Sequence, residues 1–151
     1  MIVYVENSDG NTNVRFYQAE THKRFFALLE ANCIRVNRFR ADCGSCSKEI
    51  VSEIEKHCTH FYIRANRCIL TNDYDSSTRD IVEFYNKRGG KERIFDDMNN
   101  GFGWNRLPKS FMAENTVFFL LTALIHNFYK TIISKLDTKA FGLKETCRIV
   151  G

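Results

Sequence analysis

The sequence lacks the features that divide a chain or direct it out of the cell. Its single proline is Pro108, and glycine is sparse outside residues 89–108, so no flexible linker is predicted. It has no internal repeat, and no basic-then-apolar leader opens it. We therefore expect one globular domain over residues 1–151, because a chain of 151 residues is long enough to bury a core. The lack of a leader predicts that this domain is located in the cytoplasm.

Regularly spaced cysteines and long apolar runs are also absent. The six cysteines lack the dense spacing of a disulfide scaffold, which predicts reduced thiols. The longest apolar run, Thr116 to Ile125, is followed by His126, Asn127 and Lys130. It falls well short of the roughly 20 residues that a bilayer span needs. We expect a buried helix here and no membrane contact.

What the sequence does contain is a globular composition. Hydrophobic residues make up 44% and charged residues 26%, which predicts a folded chain rather than a disordered one. The formal net charge is +4 and the pI is about 8.8. This mild basicity permits an anionic partner without requiring one.

Hydrophobic periodicity predicts alternating strands and helices. The predicted strands cover residues 2–6, 34–42 and 61–64, and the predicted helices cover 19–32, 47–58, 76–88 and 109–135. A β-α-β-α-β order favours an α/β sheet with some parallel pairing. In such sheets the chemistry gathers at the carboxyl ends of the strands.

An acidic residue stands at one of those strand ends, in the stretch RADCGSCSKEI. Asp42 closes the predicted strand, and Gly44 lets the chain turn into the helix that starts near Ser47. The carboxylate of Asp42 is therefore predicted to point into a cleft.

The same stretch allows a second interpretation through its thiols. Cys43 and Cys46 form a Cys-x-x-Cys pair before a helix, which is typical of a redox site because the helix end lowers a thiol pKa. A zinc site is the third possibility. Its further ligands would come from the sequence HCTH, as Cys58, His57 or His60.

A separate group of polar residues lies in YNKRGGKE. Tyr85, Arg88 and Glu92 stand at i, i+3 and i+7, so a continuous helix would present them on one face. Arginine grips phosphate in a fork and glutamate holds a divalent cation, a combination that suits phosphate handling. A solvated helix end with an Arg88–Glu92 ion pair is the alternative.

Basic and aromatic residues outside that group also allow two interpretations each. Arg64 and Arg67, like other arginines near the strands, can line a groove for DNA phosphates or form a solvated strand face. Lys91 beside Glu92 has the same two explanations. Trp104 is expected to pack at a loop corner rather than stack on a base. The apolar set in the last helix is expected to be core: Phe118, Phe119, Leu121 and Leu124.

Four ordered segments make the sequence similar to a known family. They are RADCGSCSKEI, FYIRAN, YNKRGGKERIFDDMNN and WNRLPKSFMAENTVFFLLTALIHNFYK. Together they resemble the DDE transposases of bacterial insertion sequences that carry a Y-R-E-K signature, over nearly the whole chain. The resemblance implies an α/β, ribonuclease H-like fold with a central mixed sheet, flanking helices and a long C-terminal helix. It also implies Mg²⁺ or Mn²⁺ as cofactor and the DNA ends of the insertion sequence as partner.

The resemblance assigns roles to individual residues. Asp42 and Glu92 correspond to the second and third catalytic acids, which hold the metal. Tyr85 and Arg88 correspond to the signature tyrosine and arginine, which bind DNA phosphate. The signature lysine falls on Asn99, a neutral amide, which weakens the expected contact with DNA.

Two parts of the family pattern have no counterpart, so a partial catalytic domain is expected. The first aspartate, on the family's opening strand, is missing, and the β-rich insertion expected near Cys68 is absent. Asp9, Asp73 and Asp75 stand in turn sequences, which explains them without a metal. Two carboxylates bridge a metal pair poorly, so weak Mg²⁺ binding and no strand transfer by the chain alone are expected. The alternative is a non-catalytic remnant that binds DNA, an intact transposase or a second copy of itself.

Overall fold

The computed structural model describes residues 1–7, 17–87, 90–108 and 110–136, with the backbone alone at 90–92. These residues form three strands and five α-helices. The helices are α1 (Gln18–Ala31), α2 (Lys48–His57), α3 (Thr78–Asn86), α4 (Gly90–Gly101) and α5 (Met112–Lys135), and the strands are β1 (Val36–Ala41), β2 (Cys58–Ala65) and β3 (Cys68–Thr71). The chain divides into two compact units, one of residues 11–88 and one of residues 1–10 with 89–151.

The sheet belongs to the first unit and has the order β1-β2-β3. β1 and β2 are parallel, with Ala41 opposite Ile63, and β2 and β3 are antiparallel, with Ala65 opposite Cys68. The predicted α/β class and its parallel pairing are confirmed. The third strand was not predicted, and it makes the sheet mixed.

The core of the first unit lies between one face of this sheet and helices α1 and α2. Phe61 and Ile63 of β2 are buried against Phe26 of α1 and Ile54 of α2. Residues two apart on a strand share a face, which explains why Tyr62, between them, does not belong to this cluster. Helix α2 begins where predicted, because the Ser47 hydroxyl accepts a hydrogen bond from the Ile50 amide at 3.3 Å.

The first residues of the chain belong to the second unit and do not form the predicted strand. Residues 1–7 carry no strand pairing. The Ile2 amide instead donates to Asn127 Oδ1 at 2.7 Å, and Asn127 Nδ2 donates to the Ile2 carbonyl at 2.6 Å. One side-chain amide of α5 therefore takes the place of a neighbouring strand. The strand prediction was wrong because β-prone residues form a strand only where a partner strand is present.

Helix α5 confirms the predicted last helix, although it begins three residues later than predicted. The prediction that Leu121 and Leu124 lie in the core was wrong, since they are 55% and 53% exposed. The buried residues of α5 are Asn115, Thr122, Ala123 and His126. Periodicity located the helix, but it did not identify the face that is packed.

The expected shortness of this apolar segment is also corrected. Among the described residues, α5 is one helix of 24 residues that is long and apolar enough to cross a membrane by length and composition. Only 17% of its most apolar window is buried within the structure. His126 does not interrupt the helix, because it is accommodated on the buried side.

The bond between Asn127 and Ile2 gives a prediction for the second unit. Asn127→Asp keeps an acceptor for the Ile2 amide but removes the donor to the Ile2 carbonyl. We expect a loss of about 1–2 kcal/mol in the free energy of unfolding and faster amide hydrogen exchange at residues 2–5. The control is Thr131→Ala, because the Thr131 hydroxyl bonds only within its own helix, to the Asn127 carbonyl. Equal exchange at residues 2–5 in both variants would show that the amide pair does not hold this segment.

Candidate functional site

Asp42 lies where the sequence predicts it, at the carboxyl end of β1. It follows Ala41 directly, and its side chain is exposed. Asp42 Oδ1 accepts a hydrogen bond from the Gly44 amide at 3.1 Å and so caps the short 3-10 turn Cys43–Ser45. This bond fixes the direction in which the chain leaves the strand. The carboxylate consequently stands at the edge where two parallel strands end.

Tyr85 of α3 lies against the same strand end. Its ring is buried, and its hydroxyl donates to the Ala41 carbonyl at 3.2 Å, one residue before Asp42. The structure therefore brings two of the predicted site residues together through a single backbone group. In this arrangement the hydroxyl is directed at the protein backbone, and the burial of the ring separates it from solvent.

Helix α3 is held on the second face of the sheet by one aromatic ring. The guanidinium groups of Arg40 and Arg38 lie 4.6 and 5.1 Å from the centre of the Phe84 ring, and the Tyr62 ring lies 4.7 Å from it. Arg40 Nη1 also donates to the Phe84 carbonyl at 2.5 Å. Cation–π contacts of this kind contribute about 0.5–2 kcal/mol each. These two arginines thus fix the helix that carries Tyr85.

Arg64 and Arg67 lie at the same edge of the sheet as Asp42. Arg64 follows Ile63 as Asp42 follows Ala41, and Ala41 and Ile63 are register partners in parallel strands. Arg64 Nε donates to the Asn66 carbonyl at 3.2 Å, and both arginines are exposed. The edge therefore combines one carboxylate with two guanidinium groups.

Arg67 lies in a tight turn close to Cys68, where the family resemblance implies an insertion. Asn66 and Arg67 form a two-residue hairpin between β2 and β3, and Asn66 has a φ of 55°. Two-residue hairpins favour asparagine at such a position, because its side chain tolerates the left-handed conformation. Where the family resemblance implies a long insertion, this chain makes the shortest regular connection. The sequence interpretation missed this hairpin, although Asn66 between two β-prone stretches is its usual signal.

The remaining signature residues are divided between two helices. Helix α3 ends at Asn86 and α4 begins at Gly90, so the predicted helix over 76–88 is confirmed as α3. Tyr85 and Glu92 do not share the one continuous helix that would present them on a single face. Each glycine in a helix interior costs about 1 kcal/mol relative to alanine, which favours a helix end at the glycine pair. Arg88 and the side chains of Lys91 and Glu92 lie outside the described residues. Tyr85 belongs to the first compact unit and Glu92 to the second.

Asp73, considered as a substitute for the missing acid, has a structural role. It is buried and accepts hydrogen bonds from the Tyr62 hydroxyl at 2.5 Å and from the Ser76 amide at 3.0 Å. The hydrogen bond from Tyr62 is the largest of the effects that hold the pKa of Asp73 well below its usual range. Burial, with the Asp73 bond, raises the pKa of Tyr62 to about 12. Asp73 therefore connects the segment after β3 to β2, a structural role of the kind that its turn sequence indicates. Asp9 lies outside the described residues.

Two of the possible zinc ligands, Cys58 and His57, already have other partners, while the redox interpretation of Cys43 and Cys46 stays a prediction. The Cys58 thiol donates to the Ile54 carbonyl at 3.2 Å, and burial, aided by the charge of Glu55, raises its pKa to about 11. Zinc and disulfide exchange both require a thiolate. His57 is held by Glu30 and Glu53 at 2.8 and 3.2 Å. Within the described ranges, no three His, Cys, Asp or Glu residues are grouped so as to hold a metal.

One described residue of the site, Asp42, has the ligand chemistry that a magnesium ion requires. Asp42 offers a hard carboxylate oxygen on an exposed edge, which is the ligand type that Mg²⁺ prefers. Because Mg²⁺ keeps several water ligands, one or two carboxylates can suffice to bind it.

Trp104 packs within the second unit, as predicted. Its Nε1 donates to Thr122 Oγ1 at 2.8 Å, and its ring meets the Phe119 ring edge-on at 4.8 Å. The turn before it ends α4, with the Trp104 amide bonded to the Met98 carbonyl and Gly103 at a φ of 74°. The indole therefore connects this turn to α5.

The bond from Tyr85 to the strand end can be tested directly. Tyr85→Phe removes only the hydroxyl that satisfies the Ala41 carbonyl, and we expect it to lower the free energy of unfolding by about 1–2 kcal/mol. Tyr74→Phe is the matched control, since Tyr74 is 90% exposed, and its change should stay within about 0.5 kcal/mol. Urea denaturation of both variants measures the difference. Equal midpoints would mean that the hydroxyl does not stabilise the strand end.

Comparison with known proteins identifies the family. A family model described as "Transposase DDE domain" matches residues 1–128, a range that includes Asp42, Tyr85 and Glu92. No curated protein and no solved structure matches the chain at a significant level. The family match covers most of the 151 residues. The chain therefore belongs to the transposase DDE domain family.

Proposed function

We propose that this chain is a catalytic-domain member of the insertion-sequence transposases with the Y-R-E-K signature, built on part of a ribonuclease H-like fold. Its ancestral reaction is DNA cleavage and strand transfer, and its working location is the cytoplasm. One structural observation carries the proposal: the hydroxyl of Tyr85 holds the backbone directly before Asp42. A signature residue and a catalytic acid of the family are thereby coupled in space although they are distant in sequence.

In this proposal Asp42 and Glu92 are the acids that bind Mg²⁺ or Mn²⁺. The bound ion supplies Lewis-acid stabilisation of charge on phosphate oxygens. Asp42 is positioned for this role by the Gly44 amide and by its place at the strand edge. Tyr85 acts as a positioning residue, because its hydroxyl donates its hydrogen bond to the Ala41 carbonyl and not to a phosphate.

The arginines at the sheet edge bind DNA phosphates in this proposal. Arg64 lies near the end of β2 and Arg67 in the turn that follows it, and their guanidinium groups can donate hydrogen bonds to phosphate oxygens in a fork. Their charge also offsets the repulsion between Asp42 and an incoming phosphate. Arg88 and Lys91 are proposed to bind DNA phosphates as well.

The same residues predict that the chain alone does not complete strand transfer. Cleavage by two metals needs ligands that bridge a pair of ions about 4 Å apart. This sequence supplies Asp42 and Glu92 but no counterpart of the first aspartate, and Asp73 is occupied by Tyr62. A single, weakly held ion is the expected state.

Metal binding tests this assignment. We expect weak Mn²⁺ binding, measured by enhancement of water-proton relaxation, that weakens about tenfold or more in Asp42→Asn and in Glu92→Gln. Asp75→Asn is the control, because Asp75 is an exposed acid in a turn. Wild-type affinity in Asp42→Asn would overturn the metal assignment. Nicking of supercoiled plasmid by the chain with Mn²⁺, lost in Asp42→Asn, would overturn the proposed inactivity.

A second candidate function is non-catalytic DNA binding, favoured by the two exposed arginines at the hairpin edge. Fluorescence anisotropy of a labelled duplex across a salt series measures it. We expect Arg67→Ala to weaken binding and to reduce the slope of log affinity against log salt by about 1, the value for one lost phosphate contact.

The matched control for this experiment is Arg79→Ala. It removes the same charge from α3, where Arg79 is paired with Glu83 at 2.9 Å, and it should leave the slope unchanged. An equal effect of both variants would show that only net charge matters. The absence of any salt-dependent binding would exclude this function.

A further inference from the structure

Helix α5 presents its more apolar side to solvent. The side packed within its own unit carries Asn115, Thr122 and His126. Thr122 accepts the indole N–H of Trp104 at 2.8 Å, and His126, 1% exposed, meets the ring of Phe102 at 5.7 Å. Small and polar residues thus form the inner side. This inverts the usual arrangement of a surface helix, whose apolar stripe faces the core.

The outer side of α5 forms a continuous apolar surface, here called the α5 stripe. Its members are each between 48% and 62% exposed: Val117, Leu120, Leu121, Leu124, Ile125, Phe128 and Ile132. They recur at helical spacing, so they lie on one side of a helix that is about 36 Å long. Exposed apolar patches of this extent mark interaction sites on soluble proteins.

We propose that the α5 stripe binds the α5 stripe of a second copy of this chain, with the two helices antiparallel. The stripe is self-complementary about the midpoint between Leu124 and Ile125. Val117 and Ile132 stand at equal distances from this midpoint, and so do Leu121 and Phe128. A two-fold axis through the midpoint therefore sets Val117 opposite Ile132, Leu121 opposite Phe128 and Leu124 opposite Ile125, as an isologous interface requires.

The charges at the two ends of the helix select the antiparallel direction. Glu114 in the first turn and Lys135 in the last turn are both exposed, and they too stand at equal distances from the midpoint. Antiparallel pairing brings Glu114 of each copy to Lys135 of the other, whereas parallel pairing sets like charges together. Such flanking charges specify helix orientation in paired helices.

The exposed area of the α5 stripe is close to the area that a stable contact with a second copy of the chain needs. Seven apolar side chains that are each about half exposed offer on the order of 600 Å² per copy, close to the roughly 800 Å² per partner of a standard interface. A lipid surface is the less favoured occupant, because interfacial helices place a lysine- and arginine-rich face opposite the apolar one. The opposite side of α5 is instead packed, and its Lys130 is bonded to Asp97 at 3.2 Å.

Sedimentation equilibrium of the full chain over a concentration series tests the proposal, which does not depend on the proposed function. The wild-type chain should be a dimer, and Leu124→Glu should raise the dissociation constant about tenfold or more. Leu107→Glu is the control, since Leu107 is an exposed leucine outside the stripe and its replacement should leave the dimer intact.

Charge reversal tests the orientation without disturbing the apolar surface. Glu114→Lys should weaken the dimer, and the double variant Glu114→Lys with Lys135→Glu should restore wild-type affinity. A wild-type chain that is monomeric at all concentrations, or a dimer unaffected by Leu124→Glu, would overturn the proposal. Monomers that co-sediment with phosphatidylcholine–phosphatidylserine vesicles in a Leu124-dependent way would identify a lipid surface as the occupant and overturn it equally.

Discussion

The parallel pairing of β1 with β2 is the constraint on which the candidate site depends. Because Ala41 stands opposite Ile63, the residues that follow, Asp42 and Arg64, lie at one edge of the sheet. A slip of one residue in this register would turn Phe61 and Ile63 out of the core. The same hydrophobic burial that fixes the register therefore fixes the place of the carboxylate. The site is a consequence of the core rather than an addition to it.

The second face of the sheet positions the site by different forces. Arg38 and Arg40 lie against the Phe84 ring. On the same face, Tyr62 is hydrogen-bonded to Asp73 in the segment that leads to α3. These contacts are polar and geometrically specific, in contrast to the apolar cluster on the first face. They set the rotation of α3 and so direct the Tyr85 hydroxyl at the Ala41 carbonyl. Arginines that look like a solvated strand face in the sequence are thus part of the support for the site.

The sequence predicts those features that depend on local signals. The Ser47 cap, the turn at Gly44 and the alternation before Asp42 locate a strand end, a turn and a helix, and each is present. Residues 2–6 and the exposed side of α5 were not predictable in this way. Whether a β-prone segment finds a partner strand, and which side of an apolar helix is packed, depend on tertiary contacts that periodicity does not contain. For the same reason the position of Asp42 at a strand end was predicted from the sequence, whereas its coupling to Tyr85 was not.

The two short connections of the chain have opposite consequences for the residues beside them. The Asn66–Arg67 turn is a tight hairpin that joins β2 to β3, so Arg67 in the turn and Arg64 in β2 are fixed relative to Asp42 by strand pairing. The glycine pair before Lys91 interrupts the helix that would otherwise have carried Tyr85 and Glu92 as one rigid body. A continuous helix would make the position of Glu92 follow from that of Tyr85. With the helix interrupted, the position of Tyr85 places no such constraint on Glu92.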